Sequence, residues 1–261
     1  MRFHVLIGLL VLVFFSVPVS TADLCRVLVV VGMEDERAIA AGDGVDVVVG
    51  TANATVLRER LKNVNAENIG AVYSFGVAGG LDPALKAGDL LISTEVIVQS
   101  TDPAQRSVEG SWMADQNLLL AIQSQAVKTN RVKIRKGIFL GTDFEARDNP
   151  QSNTQNLRET SGADIIDNES HIAAKFAREY NLPFVSVRAV SDSVSNKLPP
   201  AALIALNDDG SPNITAIVKS VLRHPQQIPA LIRTAREYQK ALHALKVFRR
   251  DIGFVPQASC R

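Results

Sequence analysis

Glu36 and Asp192 follow apolar runs of this sequence, and Glu169 comes just before a predicted helix. Carboxyl groups can transfer protons and can stabilise a developing cation, so the residue types indicate acid–base chemistry. Each position also has a plainer explanation. The cluster Glu34–Asp35–Glu36 would complement the dipole of a helix that begins there, and an aspartate after a strand often caps a helix or forms a turn. Within the cluster, Glu36 is the residue placed to turn back toward a cleft.

A glycine-rich segment follows the third apolar run, in the order Gly76-Val77-Ala78-Gly79-Gly80. Glycine lets backbone approach a ligand where a Cβ atom would clash, so the segment is a candidate for ligand contact. A tight turn before Pro83 would use the same residues. Both interpretations stay open on sequence grounds.

The sequence favours no metal ion and no cofactor. His171 lies beside Ala173 and Ala174 on a predicted helix, which favours a packed or surface histidine over a metal ligand. Cys25 and Cys260 lie near opposite ends of the folded part and match no metal-ligand spacing. This spacing excludes a disulfide scaffold and a cysteine-built zinc site, and it leaves the redox compartment open.

Strands and helices alternate along the chain, which predicts a mainly parallel sheet covered by helices. The runs predicted as strands are 26–32, 45–50, 71–76, 89–98, 132–141 and 184–191, and those predicted as helices are 54–64, 115–127 and 170–180. The first strand is apolar throughout and should be buried on both faces. In such sheets ligands bind beyond the carboxyl ends of the strands, where Glu36 and Asp192 lie.

Composition limits the class of protein. A content of 46% hydrophobic and 21% charged residues is sufficient for a buried core, and it excludes general disorder. The formal net charge of +1 provides no broad field to hold a polyanion, so nucleic acid is not expected as a partner. We expect a single domain over residues 25–261.

Residues 1–24 have the order of an export signal. Arg2 precedes an apolar run from Val5 to Phe15, and small residues follow up to Ala22. This order predicts a signal peptide or a short N-terminal anchor, and the run is shorter than the ~20 apolar residues that cross a bilayer comfortably. A wrongly assigned start codon is the alternative, and the segment is set aside from the fold.

The C-terminal part, from about residue 213, is helical by its period and rich in lysine and arginine. We expect helices over residues 216–250, with breaks at Pro225 and Pro229. A solvated face on helices that close the fold explains the basic residues, and a role at a membrane surface is the alternative.

Taken together, the motifs resemble the nucleoside phosphorylase superfamily, and their spacing resembles the methylthioadenosine/S-adenosylhomocysteine nucleosidases. A closer likeness is to the hopanoid-associated phosphorylase branch, linked to removal of adenine from adenosylhopane. The superfamily likeness is carried by residues 32–36, 76–81, 86–90, 167–169 and 188–192, and the branch likeness by residues 169–174 and 198–203 with Pro225 and Pro229. The resemblance implies an α/β three-layer sandwich, with a central mixed, mainly parallel sheet flanked by helices.

The resemblance also implies roles for individual residues. Asp192 would protonate the purine N7, Glu169 would hold the ribose hydroxyls, and Glu36 would orient and deprotonate the attacking water. An acid at neutral pH requires a raised pKa at Asp192. The remaining substrate contacts implied are Ser191 beside Asp192, Asn168, and the backbone of Val77, Ala78 and Gly79 along the ribose.

The substrate implied is a small 5′-substituted adenosine, and the products include adenine. Phosphate is the alternative nucleophile, but the charge of Glu36 would repel it, and the nearby cations Arg37 and Arg58 are expected to be exposed. A non-catalytic nucleoside-binding or storage protein is a second alternative, because Asn168 stands where the family usually has methionine. Val77 stands where the methylthioadenosine nucleosidases often have serine. The resemblance implies a homodimer in the cytoplasm, whereas residues 1–22 indicate a membrane or an exported location.

Overall fold

The computed structural model describes residues 25–51, 53–99, 108–143, 154–193, 199–203 and 213–255. The described chain forms one eight-stranded sheet with helices on both faces. The strands are β1 (Arg26–Val31), β2 (Val45–Val49), β3 (Ile69–Gly80), β4 (Leu90–Gln99), β5 (Val108–Met113), β6 (Ile134–Gly141), β7 (Ile165–Asp167) and β8 (Phe184–Asp192). The helices are α1 (Glu34–Ala40), α2 (Ala54–Leu61), α3 (Gln116–Thr129), α4 (Thr154–Ser161), α5 (Ser170–Glu179), α6 (Pro200–Leu203), α7 (Ile214–Arg223) and α8 (Ile228–Asp251).

Alternating side chains of β1 fill two separate cores. Val27, Val29 and Val31 pack on one face with residues of α3 and α8, and Leu28 and Val30 pack on the other with residues of α2 and α5. Successive side chains of a strand point to opposite faces, so an apolar strand of this kind must be covered on both sides. The predicted three-layer α/β sandwich is confirmed.

The sheet is mixed and mainly parallel, as predicted. β1 pairs in parallel with β2 and β3, β3 with β8, and β6 with β4 and β7. Antiparallel pairs join β4 to β5 and β8, and β3 to β7. The strands β3, β8, β4, β6 and β7 therefore form a closed ring of pairings. This ring brings β7 and the carboxyl ends of β3 and β8 close together.

The structure corrects several predicted boundaries. β3 extends to Gly80, so the glycine-rich segment is strand rather than a turn. β5, β7, α4 and α6 were not predicted; β7 has three residues and α6 has four, too short for a periodic signal. The C-terminal helices break at Pro225, but Pro229 lies in the first turn of α8, where its missing N–H has no partner to lose.

Cys25, just before β1, is buried and disulfide-bonded. The sequence has one other cysteine, Cys260, which lies outside the described residues. A single bridge is not a disulfide-rich scaffold, but the bridge itself was not predicted. The N-terminal segment 1–24 also lies outside the described residues, and none of the helices described is both long enough and apolar enough to span a bilayer.

Candidate active site

Glu36 turns back from the first turn of α1 into the space between β1 and β3. Its Oε2 accepts the backbone N–H of Gly32 at 2.7 Å and of Met33 at 2.9 Å, and its Oε1 accepts the N–H of Val77 at 2.7 Å. The side chain is almost fully buried. The predicted direction of Glu36 is thus the one observed, while Glu34 lies on the outer surface and pairs with Arg37.

Glu169 approaches Glu36 from the other side of Gly32. A Cβ atom at Gly32 would lie 2.8 Å from Glu169 Oε1 and 3.4 Å from Glu36 Oε2, so only glycine leaves room for both carboxylates. Asp167 fixes the turn that carries Glu169, because its Oδ1 accepts the N–H groups of Glu169 at 2.9 Å and Ser170 at 2.7 Å. The two glutamates therefore share one buried space.

Arg188, in the middle of β8, is the cation that balances this space, and its side chain has no solvent exposure. Its Nη2 lies 2.9 Å from Asp167 Oδ1 and 3.1 Å from Glu169 Oε2. Its Nη1 approaches Glu36 closely enough that a Cβ atom at Gly76 would lie 2.6 Å from Nη1 and 2.5 Å from Glu36 Oε1. One guanidinium therefore faces three carboxylates.

Serine hydroxyls complete the network below Arg188. Arg188 Nη2 donates to Ser74 Oγ at 2.6 Å, and Ser170 Oγ donates to Asp167 Oδ2 at 2.7 Å. Ser170 and Ser186 hydroxyls lie 2.8 Å apart, and Ser93 Oγ accepts the N–H of Ser186 at 2.9 Å. Buried polar groups are stable when they are hydrogen-bonded, so these hydroxyls hold the guanidinium in a fixed orientation.

The charges of the cluster do not cancel. Burial raises the pKa of Glu36, although Arg188 and three backbone N–H groups oppose the shift. Burial likewise raises the pKa of Glu169 to about 8; Arg188 opposes the shift, and the charges of Asp167 and Glu36 add to it. Since one guanidinium cannot compensate three buried carboxylates, Glu169 retains its proton near neutral pH.

Asp192 lies at the end of β8, beside the glycine-rich end of β3. It pairs with Gly79 across a register shift between the two strands, and its Oδ2 lies 3.4 Å from where a Cβ atom of Gly79 would be. Ser191 Oγ donates to Asp192 Oδ1 at 2.6 Å, as the sequence predicted that Ser191 could. Val77 contacts Glu36 and Gly79 contacts Asp192, so two residues of β3, about 7 Å, separate the two acidic sides.

The other predicted substrate contacts lie on the same edges of the sheet. Asn168 is half-buried between Asp167 and Glu169, and its Oδ1 accepts the hydroxyl of Thr142 at 2.9 Å. Ala78 is buried, and its carbonyl oxygen is 3.2 Å from Ser191 Oγ. Glu36, Glu169, Asp192, Ser191, Asn168 and the segment 77–79 are thus brought to one region, and their roles stay predictions.

His171 and the two arginines considered for a phosphate site, Arg37 and Arg58, interact with groups outside the Arg188 cluster. His171 is buried and its Nε2 lies 2.8 Å from Asp143, which also binds Arg58. Arg37 pairs with Glu34, so neither arginine belongs to the Arg188 cluster. Across the part of the chain that the structure describes, no group of three or more His, Cys, Asp and Glu side chains is arranged to hold a metal ion.

Arg188 and Asp167 were not assigned roles from the sequence. The available signal was a charged residue inside an otherwise apolar run, Phe-Val-Ser-Val-Arg-Ala-Val. A strand buried on both faces cannot hold an unpaired arginine, so this pattern itself requires a buried anionic partner.

A family model described as the phosphorylase superfamily matches residues 12–223 of the sequence. The chain belongs to this superfamily. Among curated relatives, the 5′-methylthioadenosine/S-adenosylhomocysteine nucleosidase of Anoxybacillus flavithermus is 30% identical over 169 residues, covering 58% of this chain and 69% of the relative. That of Psychromonas ingrahamii is 27% identical over 173 residues, covering 63% and 72%.

Solved structures of the superfamily share the fold. The futalosine hydrolase of Helicobacter pylori superposes with a TM-score of 0.63 at 13% identity, covering 88% of this chain and 97% of that one. The methylthioadenosine/S-adenosylhomocysteine nucleosidase of Neisseria meningitidis, in complex with methylthio-immucillin-A, has a TM-score of 0.60 at 18% identity, covering 88% and 98%. At these identities the likeness establishes the fold of this superfamily member.

The raised pKa of Glu169 predicts a pH-dependent stability. The folded protein holds a proton on Glu169 that the unfolded chain releases at the ordinary carboxyl pKa, so stability is fully present at low pH and falls as the pH rises to about 8. Glu169→Gln keeps the shape and removes the titration. We expect its free energy of unfolding, measured with urea across this range, to fall less steeply with pH than that of the wild type.

Glu59→Gln, on the exposed surface of α2, is the matched control and should follow the wild-type curve. Parallel curves for the wild type and Glu169→Gln would contradict the assignment of the buried proton to Glu169.

Proposed function

We propose that the protein cleaves the N-glycosidic bond of a 5′-substituted adenosine and releases adenine, with water as the nucleophile. The observation that supports this most directly is that Glu36 and Glu169 share the space around Arg188, while Asp192 lies two residues further along the same edge of β3. The curated relatives named above are adenosine-type nucleosidases, which supports the choice of a purine nucleoside.

Cleavage of the N-glycosidic bond develops negative charge on the leaving purine and positive charge on the sugar, and the site must stabilise both. The purine leaves as a neutral base if it receives a proton, and the sugar passes through an oxocarbenium-like state that anionic groups stabilise. In our proposal Asp192, bound by Ser191, supplies the proton to the purine N7. Glu169 holds the ribose hydroxyls, and Glu36 orients the water and accepts its proton.

The backbone of β3 would separate these two functions. Val77 lies against Glu36 and Gly79 lies against Asp192, a spacing that suits a sugar placed along residues 77–79 with its base toward Asp192. Asn168 faces Thr142 and would place an amide near the sugar. The amide is less apolar than methionine, but its oxygen is already occupied by the Thr142 hydroxyl.

Asp192→Asn tests the general acid. The amide keeps the size of the side chain and removes the proton, so adenine release from methylthioadenosine should fall about 10²–10⁴-fold, with the thermal unfolding curve unchanged. The measurement is chromatographic detection of adenine. The control is Asp46→Asn on β2, which breaks only a half-exposed ion pair with Arg26 of β1 and should retain wild-type turnover.

Two outcomes of this experiment would count against the proposal. Near wild-type turnover in Asp192→Asn would remove Asp192 from the mechanism. Binding of 5′-substituted adenosines by the wild type without any adenine would support the alternative, a nucleoside-binding or storage protein on the same fold.

Water is favoured over phosphate because the buried cation is already engaged. A phosphate site requires convergent donors from arginine and backbone amides. Arg188 Nη2 is bound to Ser74, Asp167 and Glu169, and the N–H groups of Gly32, Met33 and Val77 are bound to Glu36. Glu36 therefore occupies the donors that an anionic nucleophile would need.

The nucleophile can be read from the sugar product. We expect the free 5′-substituted ribose, with the same rate of adenine release in phosphate and in a phosphate-free buffer. Formation of the ribose 1-phosphate, or an absolute requirement for phosphate, would establish phosphorolysis instead. The 5′-substituent is tested in the same assay by comparing methylthioadenosine with adenosylhopane, the two substrates that the sequence motifs favour.

The disulfide at Cys25 supports an exported location. Disulfides persist in oxidising compartments and are rare in the cytosol, and residues 1–22 have the order of a signal peptide. We propose that the protein is exported and that its mature chain starts near Asp23.

N-terminal sequencing and intact mass of the native protein test the location. We expect a chain that starts near residue 23 and gains two hydrogen masses on reduction. A reduced chain that starts at residue 1, or at the edge of the fold without a bridge, would contradict export. The homodimer implied by the family resemblance stays a prediction.

A further inference from the structure

Helix α7 exposes one apolar stripe along its whole length. Ile214, Val218 and Leu222 are spaced four residues apart and therefore lie on one side of the helix; they are 62%, 49% and 78% exposed. No residue of α7 is buried. A helix of a globular protein normally turns such a stripe to the core, so this one lacks its usual partner among the described residues.

Hydrogen bonds of Gln227 attach α7, and with it the apolar stripe, to the rest of the fold. Gln227, which is buried just after α7, donates from Nε2 to Ser220 Oγ at 2.9 Å. Its Oε1 accepts the N–H of Ala201, in α6, at 3.0 Å. These two bonds hold the inner side of α7, so its outer side is presented in a defined orientation.

Basic side chains flank the apolar stripe. Lys219 and Arg223 each follow a member of the stripe by one position, so they lie on the adjacent side of the helix, and both are exposed. From residue 213 to residue 250 the sequence has eight lysine and arginine residues against one acidic residue, Glu237. Because the whole chain has a net charge of only +1, the remainder carries an acidic surplus.

The beginning of α8 repeats the combination. Ile228 and Ile232, four residues apart, are 41% and 47% exposed, and Arg236 and Lys240 line an open apolar hollow with Ile232. Apolar stripes bordered by lysine and arginine are the composition of helices that lie in the interface of an anionic membrane.

We propose that α7, together with the first turns of α8, docks this protein on the surface of an anionic phospholipid bilayer. The apolar stripe would enter the headgroup boundary, and Lys219 and Arg223 would contact the lipid phosphates. A second copy is a poorer occupant, because a two-fold contact through this stripe sets the same basic side chains against each other. The inference is independent of the proposed reaction, since it concerns binding and not turnover.

The test is co-sedimentation of the full chain with vesicles. We expect binding to vesicles of phosphatidylcholine with phosphatidylglycerol, little binding to phosphatidylcholine alone, and a decrease with added salt. The variant Leu222→Ser/Arg223→Gln should bind about fiftyfold more weakly, with about tenfold from the apolar side chain and about fivefold from the charge.

Helix α3 offers a matched control. Val127→Ser/Lys128→Gln alters an adjacent apolar and basic pair of the same exposure, 79% at Val127 against 78% at Leu222, and should bind vesicles as the wild type does. Both variants have the same N-terminus, so the difference between them reports α7 alone.

Three results would overturn the proposal. They are equal binding by the two double variants, equal binding to neutral and anionic vesicles, and absence of vesicle binding by the wild type. In the last case, a change of sedimentation mass in Leu222→Ser/Arg223→Gln would show that a second copy covers the stripe.

Discussion

A fully buried guanidinium constrains this structure more than any other group. Arg188 lies in a strand that is covered on both faces, where an unpaired charge would cost several kcal/mol. Its partners must therefore come from elements that end beside it. Asp167 and Glu169 pair with it from the turn between β7 and α5, and Glu36, in the first turn of α1, acts on it through its charge. The placement of these two segments beside β8 thus follows from the need to neutralise one residue.

The charges of this cluster do not cancel, because three carboxylates surround one guanidinium. A structural ion pair would need a single partner, and the excess of carboxylates together with burial raises the pKa of Glu169 to about 8. Glycines make this crowding feasible: a Cβ atom at Gly32 or Gly76 would lie within 2.8 Å of a carboxylate oxygen. Carboxyl groups with shifted pKa values at the ends of strands are typical of functional sites. Here glycines leave the space that these carboxyl groups occupy.

The sequence predicted the parts of the fold that have a strong period. Glu36 and Asp192 were singled out by their place after predicted strands, and Glu169 by its place before a predicted helix. β1, β4, β6 and β8 differ from their predicted bounds by one or two residues at the ends. It did not predict β7, because three residues carry no period, although β7 closes the ring of strands. Arg188 is not predicted for a different reason: apolar periodicity carries no information about a single charge inside a strand, and only the need of a buried charge for a buried partner points to it.

The net charge of the whole chain also conceals how the charged residues are distributed. A net charge of +1 argues against a broad field over the whole surface, but it sums an acidic remainder and a strongly basic C-terminal part. Electrostatic interactions decay within about 10 Å at moderate salt, so a partner meets the local charge and not the sum. The acidic cluster around Arg188 is buried and paired, so it contributes little to the electrostatic potential outside the protein. In contrast, Lys219, Arg223 and Arg236 are exposed. The buried cluster and the exposed basic helices are therefore electrostatically independent of each other.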